Sequence, residues 1–449
     1  MSVLWTSAEI EGATLGRASK DFAVGGIVID SRKLKPGDLY VAVKGENKDG
    51  HDFVAAAFEA KAGAAMVSKA MEASGPTLVV AHTQRALEDL ARAARARSNA
   101  TIVAVTGSAG KTTTKEMLKF AFRALGKTHV SGASFNNHWG VPLSIAGLPR
   151  DAQFGVFEIG MNHFGEIRAL VPFAKPHIGL VTTIAPAHLE FFGNCQAIAD
   201  AKSEIFEGIV PGGTAVLPAD SPYIERLVAR ARQQGVSRIL RFGSAPGCDA
   251  RLVAFEDEAG GLRLKADILG KPVEAQVGAP GSHIAANALG ALACVAAAGG
   301  DVLNAAAALK KFAALKGRGE RIRVGEIEII DESYNANPAS MTAALALLGK
   351  AGGRRIAVLG DMLEMGPEGA ALHAGLAPAL AAADLVFLCG PLMKSLWDVL
   401  PASHRTAYAP DSKGLAPVVA AAVRPGDTVL VKGSNGSRMG AVIDAVKAL

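Results

Sequence analysis

Short aliphatic, β-branched runs alternate along the chain with longer stretches of helical spacing, and most apolar runs end in a polar, glycine-containing loop. Up to about residue 98 the pattern predicts strands at 26–30, 39–43, 65–67 and 77–80, separated by helical stretches. From about 99 to 314 it predicts strands at the start of a glycine-rich turn near 106, at 156–162 and at 178–183, and an alanine-rich helix through 284–299. A linker at 315–321 then leads to strands at 327–331, 356–360, 385–389 and 428–431, each running into a polar loop. Strands alternating with helices imply parallel sheets, whose ligands sit at the carboxyl ends of the strands. The pattern thus predicts an α/β protein of three units, 1–98, 99–314 and 315–449.

The stretch from Thr101 to Glu116 carries the clearest chemistry. Val103 and Val105 form a buried-strand run, Gly107, Ser108, Ala109 and Gly110 form a turn whose backbone can approach an anion, and helical spacing resumes at Thr112. Lys111 can reach the β and γ phosphates of a nucleotide, and the hydroxyl of Thr112 or Thr113 can ligate magnesium. The common phosphate-loop pattern would place glycine at 105, where this chain has Val105, so the usual GTPase and kinase families are less suitable hosts.

Three further positions follow the same edge. Glu158 is a carboxylate inside an apolar run and needs a partner or a metal. His188 follows the strand at 178–183, and its imidazole could complete a cation's shell. Asn287 lies on the alanine-rich helix, which Ser282 opens as a cap-like residue. Lys202, on a helix, reads by itself as a surface lysine. In the first unit, Asp30-Ser31-Arg32, Lys44-Gly45 and Asp49-Gly-His-Asp-Phe53 stand at strand ends, in loops suited to solvation or to a phosphate- and hydroxyl-bearing ligand.

Composition narrows the class. Of 449 residues, 50% are hydrophobic and 20% charged, with 50 glycines, as in a soluble enzyme with many strand-helix turns. The net charge of +5 is small for this length. With no aromatic-interleaved basic stripe, it favours anionic small molecules over nucleic acid. The arginine-rich run 85–97 reads as a solvated helix face. Four scattered cysteines suggest a reducing compartment, the opening residues lack the basic and apolar regions of a secretory leader, and no apolar run is long enough to cross a membrane.

Taken together, Thr106-Gly-Ser-Ala-Gly-Lys-Thr112, Phe135-Asn-Asn-His-Trp-Gly-Val-Pro142, Phe157-Glu-Ile-Gly-Met-Asn162, Asp331-Glu-Ser-Tyr-Asn-Ala-Asn-Pro338 and Leu359-Gly-Asp-Met-Leu-Glu364 resemble the Mur ligases. These are ATP-dependent amide-forming enzymes of peptidoglycan precursor synthesis, and the likeness runs over essentially the whole chain. The motif versions look like those of the member that adds D-alanyl-D-alanine to UDP-N-acetylmuramoyl-tripeptide. The resemblance implies a small N-terminal α/β domain for the UDP substrate, a central mostly parallel P-loop-type sheet with helices on both faces for ATP, and a C-terminal Rossmann-like domain for the dipeptide.

The resemblance also implies roles. Lys111 and Thr112 would hold ATP phosphates and magnesium, Glu158 and His188 would ligate metal, and Lys202 matches a lysine that related ligases carry as a carbamate. Asn287 and Arg318 match nucleotide contacts, and Asp331 one near the ribose. Ser31, Arg32, Lys44 and Gly45 would lie on the UDP side, and Asn335, Asn337, Lys432 and Arg438 near the incoming dipeptide. A cytoplasmic monomer using ATP and two magnesium ions would follow. Lys111, Glu158, His188 and Lys202 would then be the catalytic set. Open alternatives are the neighbouring ligase that adds the third residue, folylpolyglutamate synthetase, and, in another class, an ATP-hydrolysing switch protein.

Overall fold

The computed structural model describes residues 3–132, 135–258 and 260–449. Met1 and Ser2, which begin the stretch read for a leader, lie outside the described residues. Among those residues, three larger sheets follow one another along the chain.

The first sheet has the order Arg17–Ala18, Thr77–Val79, Ala64–Val67, Asp38–Val41, Gly26–Val28 and is parallel except at its first pair. The second runs Lys271–Val277, Gly261–Ile268, Ala250–Glu258, Arg238–Gly243, Thr214–Pro218, Ile178–Val181, Thr101–Thr106, Phe154–Glu158, Thr128–Val130. The third runs Glu320–Val324, Ile327–Glu332, Thr428–Lys432, Arg355–Gly360, Leu385–Cys389, Ala407–Ala409 and is parallel after its first, antiparallel pair.

The central strand Thr101–Thr106 shows why its β-branched run works. Successive side chains point to opposite faces. Ile102 and Ala104 enter the core that continues into the N-terminal domain, while Val103 and Val105 enter the core formed with the helices Lys111–Arg123 and Ser282–Ala297. A strand covered on both faces can be apolar throughout, as parallel strands are. The alanine-rich helix is a buried core helix, as its composition predicts.

Three expectations need correction. The segment 250–277 is not strand-helix alternation but an antiparallel meander, with its register shifting between Leu252 and Ala254. The basic linker at 315–321 ends inside the edge strand Glu320–Val324. The 85–97 run is solvated only in part: Arg85 and Arg92 are exposed, but Arg95 donates to the carbonyls of Ala174 and Lys175, and Arg97 to that of Leu4.

Those arginines help the first domain dock on the second. Trp5 is 2% exposed, donates its indole N–H to the Ala146 carbonyl at 2.9 Å, and lies under the Arg97 guanidinium at 3.4 Å from the ring centre. Gln84 donates to the His138 carbonyl at 2.9 Å, and the Lys33 ammonium stands 5.5 Å from the Phe135 ring centre. The two domains therefore share one apolar core. Trp5→Ala should lower the free energy of unfolding by about 3–5 kcal/mol. Denaturant unfolding checks this, and a loss under about 1 kcal/mol would contradict a shared core.

Candidate active site

The strand Thr101–Thr106 lies between Phe154–Glu158 and Ile178–Val181, so three parallel strands end side by side. Ligands bind at such a point because the connections leave opposite ways and open a crevice. From one neighbour comes Glu158, opposite Val105. From the other come Thr182 and Thr183, just beyond the pairing of Val181 with Thr106.

The glycine turn is pinned from several directions. Ser108 N–H donates to the Thr183 carbonyl at 2.8 Å, the Thr182 hydroxyl to the Ala109 carbonyl at 2.6 Å, and the Ala185 N–H to the Ser108 hydroxyl at 3.1 Å. Gly110 has φ +80°, and a Cβ there would stand 2.5 Å from Asn287 Oδ1. At Gly107 a Cβ would meet Thr182 Oγ1 at 1.9 Å. These are steric reasons for glycine. The turn opens the 13-residue helix Lys111–Arg123, whose first N–H groups and dipole favour an anion.

Lys111 is half-buried and donates to the Gly107 carbonyl at 2.7 Å. Burial lowers its pKa, the Glu158 carboxylate opposes that shift, and Arg318 adds to it. Glu158, 2% exposed, accepts from the Thr112 hydroxyl at 2.9 Å and from the Asn136 amide at 2.8 Å. Magnesium takes oxygen donors, commonly one or two carboxylates with water and substrate phosphates. A buried carboxylate beside a hydroxyl at the phosphate turn fits that ion.

These groups line one cavity of about 620 Å³ between the central and C-terminal domains. Of the predicted nucleotide set, Ser108, Ala109, Gly110, Lys111, Thr112, Thr113, Asn287 and Arg318 line it. Glu158 and His188 line it too, as do Asn335, Asn337 and Lys432 from the other side. Lys432 is 1% exposed and donates to Glu332 at 3.1 Å and to the Asn335 carbonyl at 3.0 Å. Arg318 stacks 4.0 Å from the Tyr334 ring centre.

Other expected positions do not reach the cavity. Asp331 accepts instead from the Gly317 N–H and from the N–H and hydroxyl of Ser333, so its carboxylate braces the linker. Arg438 is exposed and does not line the cavity, and Gly107 stands behind the turn. Ser31, Arg32, Lys44 and Gly45 lie outside it as well. The Arg32 guanidinium closes on Asp30 at 2.8 and 2.9 Å, and a Cβ on Gly45 would stand 3.3 Å from Trp139.

Two residues differ from their isolated readings. Lys202 is not at the surface: it is 1% exposed, and burial together with Lys111 pushes its pKa well below the ordinary lysine value. Ser282 is not the helix cap, since Gly281 holds that position at φ +109° without a side-chain bond. Thr182, Thr183, His283, Glu332 and Asn136 line the cavity as well, beyond the residues expected there. The signal for the two threonines was their place at the end of the strand expected at 178–183, beside the phosphate turn.

Residues 23–104 match the model of the Mur ligase family catalytic domain, 105–295 that of the Mur ligase middle domain, and 317–435 that of the Mur ligase glutamate ligase domain. The chain belongs to the Mur ligase family. It is 34% identical to the UDP-N-acetylmuramoyl-tripeptide–D-alanyl-D-alanine ligase of Escherichia coli, over 98% of this chain and 96% of that one. The fold matches MurF from Acinetobacter baumannii with a TM-score of 0.86 at 29% identity, covering 99% of each chain. It also matches MurF from Thermotoga maritima in complex with ADP, with a TM-score of 0.79 at 27% identity, over 94% of this chain and 97% of that one. Like its relatives, this Mur ligase has three domains and is an ATP-dependent ligase.

Gly110→Ala should weaken ADP binding at least about tenfold, equivalent to ~1.4 kcal/mol, through its clash with Asn287. Titration calorimetry on folded protein checks this, and an unchanged affinity would contradict the placement of the turn.

Proposed function

We infer that this chain joins D-alanyl-D-alanine to UDP-N-acetylmuramoyl-tripeptide at the expense of ATP, forming ADP and phosphate in cytoplasmic peptidoglycan precursor synthesis. The observation that carries this reading is the phosphate turn with Lys111 and Glu158 facing the Asn335, Asn337 and Lys432 side of one cavity. In this reading 1–98 holds the UDP substrate through Ser31, Arg32, Lys44 and Gly45, 99–314 holds ATP, and 315–449 brings the dipeptide. The chain acts as a monomer, and Arg438 joins the dipeptide site only through a rearrangement of its loop.

A carboxylate is a poor electrophile, so it must be activated before an amine can attack. Its oxygen displaces ADP at the γ-phosphorus, giving an acyl phosphate. The free amine of the dipeptide then adds to the carbonyl carbon, and the resulting tetrahedral intermediate collapses to amide and phosphate as the amine's proton leaves. Because the reactive intermediate belongs to the substrate, the protein needs no nucleophile. Its task is to bring anions together and neutralise spreading charge.

Lys111 and the N–H groups of the turn hold the phosphates, Asn287 and Arg318 flank the nucleotide, and Asp331 braces the linker that carries Arg318. Magnesium, when bound, neutralises phosphate charge. Thr112 and Glu158 would hold one such ion, and His188 a second, with Lys202 beside it. No described helix is long and apolar enough to cross a membrane.

A buried lysine with a depressed pKa gives up its proton more readily than an exposed one. Lys202 can then add to CO2, losing one proton and becoming an anionic carbamate, a better neighbour for metal than an ammonium ion. Native mass spectrometry should find an added CO2 that is absent in Lys202→Ala, whose activity bicarbonate cannot restore. No such mass on active enzyme would contradict the carbamate.

Phosphate release should require UDP-tripeptide and D-alanyl-D-alanine together, and Lys111→Ala should reduce it at least ~100-fold in folded protein. A coupled phosphate assay reads both. Release without an amine acceptor would favour the ATP-hydrolysing switch, and preference for a single amino acid on a UDP-dipeptide would favour the ligase that adds the third residue.

A further inference from the structure

The C-terminal domain touches the central one at a second place, beside the cavity. There the loop after the strand Arg355–Gly360 meets the turn that holds His188. The Glu364 carboxylate bonds His188 Nδ1, and the Glu364 carbonyl accepts from the Glu190 N–H at 3.1 Å. Gly366, at φ +63°, lies so close that a Cβ would stand 3.3 Å from Glu190 N and Cα. His188 and Glu364 both hold left-handed backbone, at φ 56° and 62°. Non-glycine residues stay there only when their surroundings hold them.

Both partners are anchored in their own domains. Leu363 N–H donates to the Ser434 hydroxyl at 2.9 Å, and Met362 N–H to His373 Nε2 at 2.9 Å, which fixes the loop before Glu364. On the other side Phe191 N–H donates to the His188 carbonyl at 3.0 Å, and its ring packs 4.6 Å from that of His163. The pairing of His188 and Glu364 therefore joins two braced loops that are 176 residues apart in the chain.

A histidine that ligates metal through one nitrogen usually gives its other N–H to a carboxylate or carbonyl, which sets tautomer and ring direction. We propose that Glu364 is a positioning residue: it accepts the Nδ1–H of His188, leaving Nε2 to serve the cavity, and so ties the ligand's orientation to docking of the C-terminal domain. This rests on the reading of His188 as a cation ligand. Its consequence is that the second cation's shell is oriented only when the domain that brings the dipeptide is seated. Glu364 does not line the cavity, so its effect passes through His188 and the domain contact.

The test uses the full-length protein and the variants Glu364→Ala, Glu364→Gln and His188→Ala, with equal thermal midpoints as the folding control. Nitrogen-15 NMR of histidine-labelled, metal-free protein reads the tautomer, and Mn2+ electron paramagnetic resonance with ADP reads cation affinity. In the parent, His188 should carry its proton on Nδ1. Glu364→Ala should abolish that preference and weaken Mn2+ binding roughly 10–100-fold. Glu364→Gln, whose amide oxygen still accepts, should stay near the parent in both. A parental tautomer and affinity in Glu364→Ala, or Glu364→Gln as impaired as Glu364→Ala, would overturn the proposal. Parental Mn2+ affinity in His188→Ala would overturn it by removing His188 as a ligand, and would leave the ATP site and the ligase reaction standing.

Discussion

A carboxylate removed from water at the end of a parallel strand has to be compensated where it lies. Glu158 meets that constraint with the Thr112 hydroxyl on one oxygen and the Asn136 amide on the other. Those two bonds tie together the strand's end, the phosphate helix and the loop at 135–139. The N-terminal domain packs on the same loop, through Lys33 near Phe135 and Gln84 on the His138 carbonyl. Thus one buried charge organises the phosphate turn and links it to the N-terminal domain, which we propose holds the UDP substrate.

The same charge explains the cationic side of the site. Lys111 sits on the Gly107 carbonyl, with Glu158 opposing the effect of burial on its ammonium. Lys202 has no such support, and Lys111 lowers its pKa further. Half-buried Lys111 and buried Lys202 therefore differ: a carboxylate offsets the effect of burial at the first, while the neighbouring lysine adds to it at the second. Across the cavity, Lys432 is neutralised by Glu332 and held by the Asn335 carbonyl, which keeps the C-terminal wall ordered without adding net charge.

Much of this was legible along the chain. Val103, Val105, the glycines and Lys111 are local signals, because strand, turn and helix follow one another within a dozen residues. Glu158 was legible as a charge in an apolar run. What escaped was set by distant packing. The helix bearing Lys202 does not reveal which face it buries, and Asp331 found nearer partners in Gly317 and Ser333. Arg95 and Arg97 look like surface residues until Ala174 and Trp5 arrive. The contact of Glu364 with His188 spans two domains and leaves no local trace. The meander at 250–277 did leave one, since Leu262, Leu264 and Ala266 alternate with Arg263, Lys265 and Asp267, a period of two.

In the proposed reaction the turn at 107–112 presents a γ-phosphoryl group to an acid, and the acid's own oxygen leaves with the phosphate. Labelling the acceptor carboxylate of the UDP-tripeptide with oxygen-18 and weighing the products tests it directly. One labelled oxygen should appear in each phosphate released and one should remain in the amide. Phosphate free of label, with turnover intact, would contradict activation by phosphoryl transfer.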